Sequence, residues 1–388
     1  MIDPTEQQIG IIGGGQLGKM MILEAKKMDF SVTILDPTPH CPAHSIADEH
    51  IVADFKDAAA LRKLARQTDV VTYEFEHIGV EVLKQLQAEG YDIYPAPRSL
   101  EIIQNKYHQK QLLKQEGLPV PEFIRVTDRQ DLDQAADQFG YPFMLKSCKG
   151  GYDGKGNALV ESEAERETSY QTLGAEDNLL MAEEYIPFAK EISVIVCRGI
   201  EGEIVTYPIG ENKHQESILL TTKVPADISP AVEEKALNLG EEIMEAFSGV
   251  GIFCIEMFVT KVGEVLINEI APRPHNSGHY SIEGCVTSQF ANHVRAIAGL
   301  PLGSTQLVRP TVMRNILGQE GSTGTAQVIG LKEALQQPQV KVHIYGKQVS
   351  RPKRKMGHLT ATADDLATAE QKSLEARNSI TITGERSG

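Results

Sequence analysis

Residues 251–276 read GIFCIEMFVTKVGEVLINEIAPRPHN, and the fold turns on how they are paired. Two runs, 251–260 and 264–270, carry the β-branched and aromatic residues of half-buried strands. Lys261-Val262-Gly263 joins them as a hairpin turn. Glu256 lies in mid-strand among Phe253, Cys254, Ile255, Met257 and Phe258, and Glu269 lies in the next strand. A charge in so apolar a run needs a partner. Adjacent antiparallel strands can aim both carboxylates at one point, and hard oxygen donors on rigid strands suit Mg²⁺ bridging the phosphates of ATP. Asn268 adds an oxygen, but a regular strand turns it away from Glu269, so its use needs a bulge or a strand end. The alternative is a pair of exposed acids on a half-buried hairpin.

A cationic loop lies upstream. Residues 149–157, KGGYDGKGN, hold four glycines and two lysines. Such a loop can fold over a polyphosphate and exclude water, although alone it reads equally as a surface hairpin tip. It does not match the P-loop pattern. Lys146 ends the strand before it, and Lys106 opens a helix forty residues earlier. A second glycine loop lies near the N-terminus, where Gly13, Gly15 and Gly18 follow a strand and precede a helix, with Asp36 closing the next strand. That pattern offers backbone N–H groups to an anion and raises an NAD-dependent oxidoreductase as an alternative, but it explains residues 8–36 only.

Further outward, residues 8–12, 31–35, 50–53, 69–73 and 91–94 read as strands, with a helix over 16–29 and helical patterns between most of the others. Their alternation predicts a parallel sheet covered by helices on both faces. A helix is expected over 98–117, stopped by LPVPE at 118–122, then a strand (122–126), a helix (128–139), a strand (142–146) and the loop 147–156. Strands follow near 179–183, 190–197 and 203–208, and a long helix at 229–247. The last ninety residues hold shorter strand patterns, and 376–388 (ARNSITITGERSG) read as polar and poorly packed. There is no internal repeat.

The chain has 388 residues, enough for two or three domains, with a net charge of −15 that argues against a general nucleic-acid binder. Cys41, Cys148, Cys197, Cys254 and Cys285 form no CxxC pair, which fits a reduced, cytoplasmic protein. MIDPTEQQ is no signal peptide, and no run approaches 18 apolar residues, so no membrane span is expected.

Six stretches, GGGQLGKM (13–20), KGGYDGKGN (149–157), EEYIPFAKEIS (183–193), NKHQESIL (212–219), NEIAPRPHNSGH (268–279) and RPKRKMGHL (351–359), resemble in this order the ATP-grasp superfamily. Within it the chain looks like the 5-(carboxyamino)imidazole ribonucleotide synthetases, from about residue 8 to about residue 360. The resemblance implies an α/β protein (α+β overall) with a Rossmann-like domain over 1–105. A two-lobed ATP-grasp domain would follow over 106–298, its mobile lobe at about 120–190, and a small β-rich domain over 299–388. It implies that Lys106 and Lys146 contact ATP phosphates, and that Gly151, Tyr152, Asp153, Gly154, Lys155, Gly156 and Asn157 form the covering loop. Glu183, Glu184, Tyr185 and Ile186 would receive adenine, Glu191 the ribose hydroxyls, and His214 and Asn268 further parts of ATP. Glu256 and Glu269 would ligate Mg²⁺, or Mn²⁺ in its place. Gln16, Leu17, Glu74, His275 and Asn276 would line the ribonucleotide site, with Lys347, Arg354 and Lys355 on its 5′-phosphate. Arg273 would hold bicarbonate or carboxyphosphate, with Lys355, Tyr152 and Asp153 also assigned to the reaction.

The implied reaction is carboxylation of 5-aminoimidazole ribonucleotide by ATP and bicarbonate through carboxyphosphate, in purine biosynthesis. The resemblance further implies a homodimer and a hand-off to a downstream mutase. Two sibling readings stand beside it: a formate-using glycinamide ribonucleotide ligase and a biotin carboxylase, the latter disfavoured by the short chain and a different C-terminal region.

Overall fold

The computed structural model describes residues 6–150, 156–174 and 179–385. β1 (Gln8–Ile12), β2 (Ser31–Leu35), β3 (Glu49–Ile51), β4 (Val70–Tyr73) and β5 (Asp92–Ile93) form a parallel sheet in the order β3-β2-β1-β4-β5. Its three central strands, β2, β1 and β4, are buried along most of their length because helices cover both faces. Ile9, Ile11 and Phe30 pack with Leu17, Met20 and Met21 of the Gln16–Lys26 helix, while Ile12, Val71 and Tyr73 pack with Leu61 and Leu64 of the Ala58–Gln67 helix.

The helix expected over 98–117 is in fact two, Pro97–Ile103 and Lys106–Gln115. Asn105 causes the break: its side-chain oxygen accepts the N–H groups of Tyr107 and His108 at 3.0 and 3.3 Å. This capping competes with a continuous helix and makes Lys106 the first residue of a new one.

β6 (Phe123–Val126), β7 (Phe143–Ser147), β8 (Asn157–Val160) and β9 (Leu180–Glu184) make an antiparallel sheet in the order β6-β9-β7-β8. The Glu163–Thr172 helix between β8 and β9 left little trace in the sequence pattern, since it buries only Tyr170.

The largest sheet has nine strands. It uses β10 (Phe188–Arg198), β11 (Ile204–Thr206), β12 (Gly210–Gln215), β13 (Ile218–Val224), β14 (Gly251–Thr260), β15 (Val265–Ala271) and β16 (Thr311–Leu317). After β17 (Gly324–Ile329) come β18 (Val340–Ile344), β19 (Val349–Ser350) and β20 (Lys355–Thr362). The order is β15-β14-β10-β12-β13-β16-β20-β18, with β11 on β10. The Pro230–Phe247 helix lays Ala236, Leu239, Ile243 and Met244 on Ile192, Val194 and Val196 of β10 and Ile255 and Met257 of β14. Each of the Leu, Ile, Val and Met side chains among these, fully buried, contributes about 1.5–3 kcal/mol, so the strands under Glu256 are firmly held.

The expectation of poor packing over 376–388 is overturned for residues 376–385, and the rest lie outside the described residues. β21 (Thr381–Glu385) pairs with β17 in a three-stranded sheet β19-β17-β21, and Ile380 and Ile382 are 0% and 1% exposed. Alternation of Ile with Thr over 380–383 is a strand pattern even where polar residues are in the majority. Among the described residues no helix is long and apolar enough to cross a membrane.

Candidate active site

Between β14 and β15 the register pairs Ile255 with Ile270 and Glu256 with Glu269, then shifts so that Met257 faces Ile267. Asn268 is the extra residue of this bulge, the irregularity it needs to share a face with Glu269. Its Oδ1 lies 3.5 Å from Lys146 Nζ. Directly opposed residues hold their Cβ atoms about 4.5–5.5 Å apart, so the two carboxylates share one site. Glu269 Oε1 meets Lys106 Nζ at 2.6 Å. Burial pushes the Glu269 carboxyl up, but Lys106, Lys146 and Lys110 outweigh it and hold the group below the usual carboxylate range. Glu256 goes the other way. Burial, then the like charges of Glu269 and Glu191, hold it above that range against the counter-charges of His214 and Lys355.

Lys146 on β7 and Glu183 on β9 form a second wall, joined at 2.7 Å. Lys110, which the sequence reading passed over, stands 3.2 Å from Glu183 Oε2 and donates to the Ile267 carbonyl at 2.8 Å. The Lys110–Glu183 contact is an ion pair without hydrogen-bond alignment, so Glu183 Oε2 keeps no hydrogen-bond partner among the described residues. Lys110 is 2% exposed and Glu183 1%. Burial pushes the Lys110 ammonium down to about 8 despite Glu183.

The far side of the cleft carries Glu191 on β10 and His214 on β12, with Oε2 and Nδ1 2.9 Å apart. Burial disfavours charge on His214, but Glu191 and Glu256 outweigh it and raise its pKa. β12 and β13 are joined by Glu216 and Ser217, both at positive φ (48° and 61°), as a type I′ turn requires. No glycine or asparagine marks this hairpin, and the sequence reading did not find it. Glu184, the last residue of β9, and Tyr185 just after it are exposed, and Ile186 is buried. Gly156 adopts φ +91° and its carbonyl accepts the Ser147 N–H at 2.7 Å, and Asn157 opens β8. Gly151, Tyr152, Asp153, Gly154 and Lys155 lie outside the described residues.

The N-terminal glycine loop is occupied from within. Asp36 accepts the Gly14 N–H at 2.9 Å, and Glu74 accepts those of Gly15 and Gly18 at 2.5 and 2.7 Å. A Cβ on Gly13 would lie 2.4 Å from the Glu74 side chain. The donors that a pyrophosphate would use are therefore bound to the chain's own carboxylates. Burial raises the Glu74 carboxyl, and Lys347 is among the charges that oppose this. Gln16 is half-buried, while Leu17 is 6% exposed within the core of this domain.

Lys347 donates to the Lys355 carbonyl at 2.8 Å. The Lys355 charge acts on Glu256 and His214 on one side and on His275 on the other, so it links the two halves of the cleft. His275 is held neutral by burial beside Arg273 and Lys355, its Nδ1 2.9 Å from Ser277 Oγ. Arg273 pairs with Glu76 at 2.8 Å and donates to the Pro274 carbonyl at 3.1 Å, while its Nε is buried without a partner among the described residues. Asn276 and Asn315 exchange amide hydrogen bonds at 3.0 and 2.6 Å, so both ends of the Asn276 amide are engaged. Arg354 turns onto the Val349 carbonyl at 2.5 Å, toward the small sheet. Glu76, Lys110 and Asn315 are the residues of this cleft that the sequence reading missed. Their partners are distant in the chain, and nothing local marks them.

Glu256 and Glu269 fit a divalent cation: two opposed oxygen donors, one of them destabilised by its like-charged neighbour. Among the described residues no group of three or more His, Cys, Asp or Glu is assembled to hold a metal. A cation here would therefore complete its shell with nucleotide phosphate oxygens.

Comparison with known proteins gives the family of the chain. A family model described as the ribonucleotide synthetase preATP-grasp domain matches residues 6–104, one for the ATP-grasp domain matches 111–290, and one for the phosphoribosylaminoimidazole carboxylase C-terminal domain matches 311–372. The chain is 42% identical over 352 residues to the N5-carboxyaminoimidazole ribonucleotide synthase of Bacillus subtilis, covering 91% of this chain and 90% of that one. It superimposes on the N5-carboxyaminoimidazole ribonucleotide synthetase of Thermotoga maritima with a TM-score of 0.90 at 47% identity, covering 98% and 100%. The Aspergillus clavatus synthase in complex with ADP and 5-aminoimidazole ribonucleotide matches with a TM-score of 0.87 at 34% identity, covering 96% and 98%. Identity at this level over nearly the whole length places the chain in the N5-carboxyaminoimidazole ribonucleotide synthase family of ATP-grasp ligases.

Proposed function

We propose that the chain carboxylates 5-aminoimidazole ribonucleotide on its 5-amino group, using ATP and bicarbonate. The observation that carries this reading is the opposed pair Glu256 and Glu269 set against Lys106 and Lys146, a grouping that suits phosphate and a divalent cation better than hydride transfer. In the first stage a bicarbonate oxygen attacks the γ-phosphorus, the bond to the β–γ bridging oxygen breaks, and ADP leaves. In the second stage the amine nitrogen bonds to the carboxyl carbon of carboxyphosphate or of CO₂ released from it, inorganic phosphate departs, and the nitrogen loses a proton. Lys106 and Lys146 neutralise charge on the phosphates. Glu256 and Glu269 would hold Mg²⁺ or Mn²⁺, which supplies further charge neutralisation when bound.

Glu191 is assigned to the ribose hydroxyls, His214 to a further contact with ATP, Glu183 to Ile186 to adenine, and the segment from Gly151 to Asn157 to covering the phosphates. The unpartnered Nε of Arg273 is a donor available to bicarbonate, with its fork fixed by Glu76. Gln16, Leu17, Glu74, His275 and Asn276 are assigned to the ribonucleotide, Lys347 and Lys355 to its phosphate, and Arg354 would have to leave Val349 to join them. The division at about residues 105 and 298, a homodimer, a reducing cytoplasmic setting and transfer of product to a mutase complete the proposal. That all five cysteines are free and buried supports the reducing setting.

ADP release measured with bicarbonate, formate, 5-aminoimidazole ribonucleotide and glycinamide ribonucleotide in turn tests the reading. Stimulation by the aminoimidazole compound, with labelled bicarbonate entering an acid-labile carbamate, is the expected result. Incorporation of labelled formate into glycinamide ribonucleotide would overturn it.

A further inference from the structure

Lys110 reaches both walls of the cleft at once. From the Lys106–Gln115 helix its Nζ donates at 2.8 Å to the carbonyl of Ile267, the residue immediately before the bulged Asn268, and stands 3.2 Å from Glu183 Oε2. The other oxygen of Glu183 holds Lys146 at 2.7 Å, and Lys146 lies 3.5 Å from Asn268 Oδ1. The contacts form a closed ring, Ile267–Lys110–Glu183–Lys146–Asn268, spanning β15 of the large sheet and β7 and β9 of the four-stranded sheet.

A buried ammonium at this point is costly, and apolar contacts would serve packing better, so its presence calls for a role. The Ile267 carbonyl is the last acceptor before the chain departs from regular pairing, and fixing it fixes the aim of Asn268 and Glu269. The Glu183 carboxylate would otherwise be free to swing with Lys146. Gln109, the preceding residue, ties the same helix to β15 by exchanging hydrogen bonds with the backbone of Ile270 at 3.1 and 3.2 Å. One helix turn thus grips β15 on both sides of the bulge.

We propose that Lys110 is a positioning residue that locks the metal-ligand strand and the phosphate-binding Lys146 into one geometry. In this role Lys110 acts through Ile267 and Glu183, the partners its ammonium already holds. The proposal rests on the ATP-site reading given above.

The test compares wild type with Lys110→Met, Lys110→Gln and Lys110→Arg, each checked for cooperative thermal unfolding. ADP release is measured against MgATP and against 5-aminoimidazole ribonucleotide, and ADP affinity is measured by calorimetry in EDTA. Misaimed phosphate and metal groups raise the half-saturating MgATP and lower turnover by about tenfold to a hundredfold in the Met variant. ADP binding without metal weakens, because Lys146 loses its anchor. Half-saturation by the ribonucleotide stays within about twofold, and Arg, which can reach both partners, recovers more activity than Met. Lys110→Gln keeps a donor for Ile267 and removes the charge, so it is the variant to read if Met does not fold, and it too raises half-saturating MgATP. A folded Met or Gln variant with MgATP and ADP behaviour unchanged within about twofold overturns the proposal. So does an equal loss toward nucleotide and ribonucleotide with no recovery by Arg. A wild-type protein that releases no ADP would instead refute the functional reading itself.

Discussion

Glu256 and Glu269 face each other, yet their surroundings treat them oppositely, and substitution should separate the two. Because the Glu256 carboxyl is held above its ordinary value, the stability it lends is present in acid and lost as pH rises through its raised value. Ligand-free Glu256→Gln should therefore melt no lower than wild type at pH 8, while ADP release falls by about a hundredfold or more. Glu269 is depressed, so its contribution is present above the ordinary carboxylate range and disappears as pH falls through its own value. Glu269→Gln strips Lys106 of its partner and should melt lower than wild type at pH 8, with the difference closing toward acid. Melting curves at pH 8 and pH 4 decide this, and a Glu269→Gln protein with normal ADP release would remove the metal assignment. These two acids were legible in the sequence because a charge inside an apolar strand is anomalous on its own evidence. Lys110 was not, since one lysine in NKYHQKQLLKQ looks like its neighbours until the fold brings Ile267 to it, 157 residues away.

At the level of elements, the hairpin of 251–260 and 264–270 was readable from its β-branched and aromatic runs and the turn at 261–263, and the need for an irregularity at Asn268 followed from the period of two. The Glu216-Ser217 turn and the break at Asn105 escaped because their signals are conformational or depend on a single cap. The bulge can be tested directly. Deleting Asn268 leaves Glu269 next in line after Ile267, still opposite Glu256, but removes the amide from beside Lys146. The deletion and Asn268→Ala should therefore weaken MgATP half-saturation alike, by about threefold to tenfold, the worth of roughly one ordinary hydrogen bond, since the contact is long at 3.5 Å. A deletion far more damaging than the alanine would show that the bulge itself sets the aim of Glu269. The N-terminal loop yields a second test. Its sequence invites a dinucleotide, but Asp36 and Glu74 already hold the N–H groups of Gly14, Gly15 and Gly18. NADH titrated into the protein should show no saturable fluorescence change at micromolar concentration, and saturable binding there would revive the oxidoreductase reading.

Across the whole molecule, the C-terminal strands continue the sheet that carries the site. β16 pairs with β13 from Thr221–Arg314 to Val224–Thr311, and β20 and β18 follow. Side chains stitch the same seam: Arg314 donates to Thr221 Oγ1 at 3.0 Å and to Ser373 Oγ at 2.8 Å, and Lys223 meets Glu370 at 2.6 Å. A chain ending at residue 310 would leave β13 as a bare edge, with Leu219, Thr221, Thr222 and Val224, all now buried, open to water. Unpaired edges of that kind recruit other chains. The same truncation removes Lys355, whose charge reaches Glu256 and His214 from β20. A protein of residues 1–310 should therefore aggregate or unfold without cooperativity. Lys355→Ala in the full chain should instead fold normally and lose ADP release, because only the charge is missing. Size-exclusion chromatography and thermal unfolding of both proteins distinguish the cases. A monodisperse 1–310 protein melting within about 2 °C of the full chain would mean that the β13–β16 seam adds no more than about 1–2 kcal/mol, and that the C-terminal region is an appendage rather than part of the sheet that holds the site.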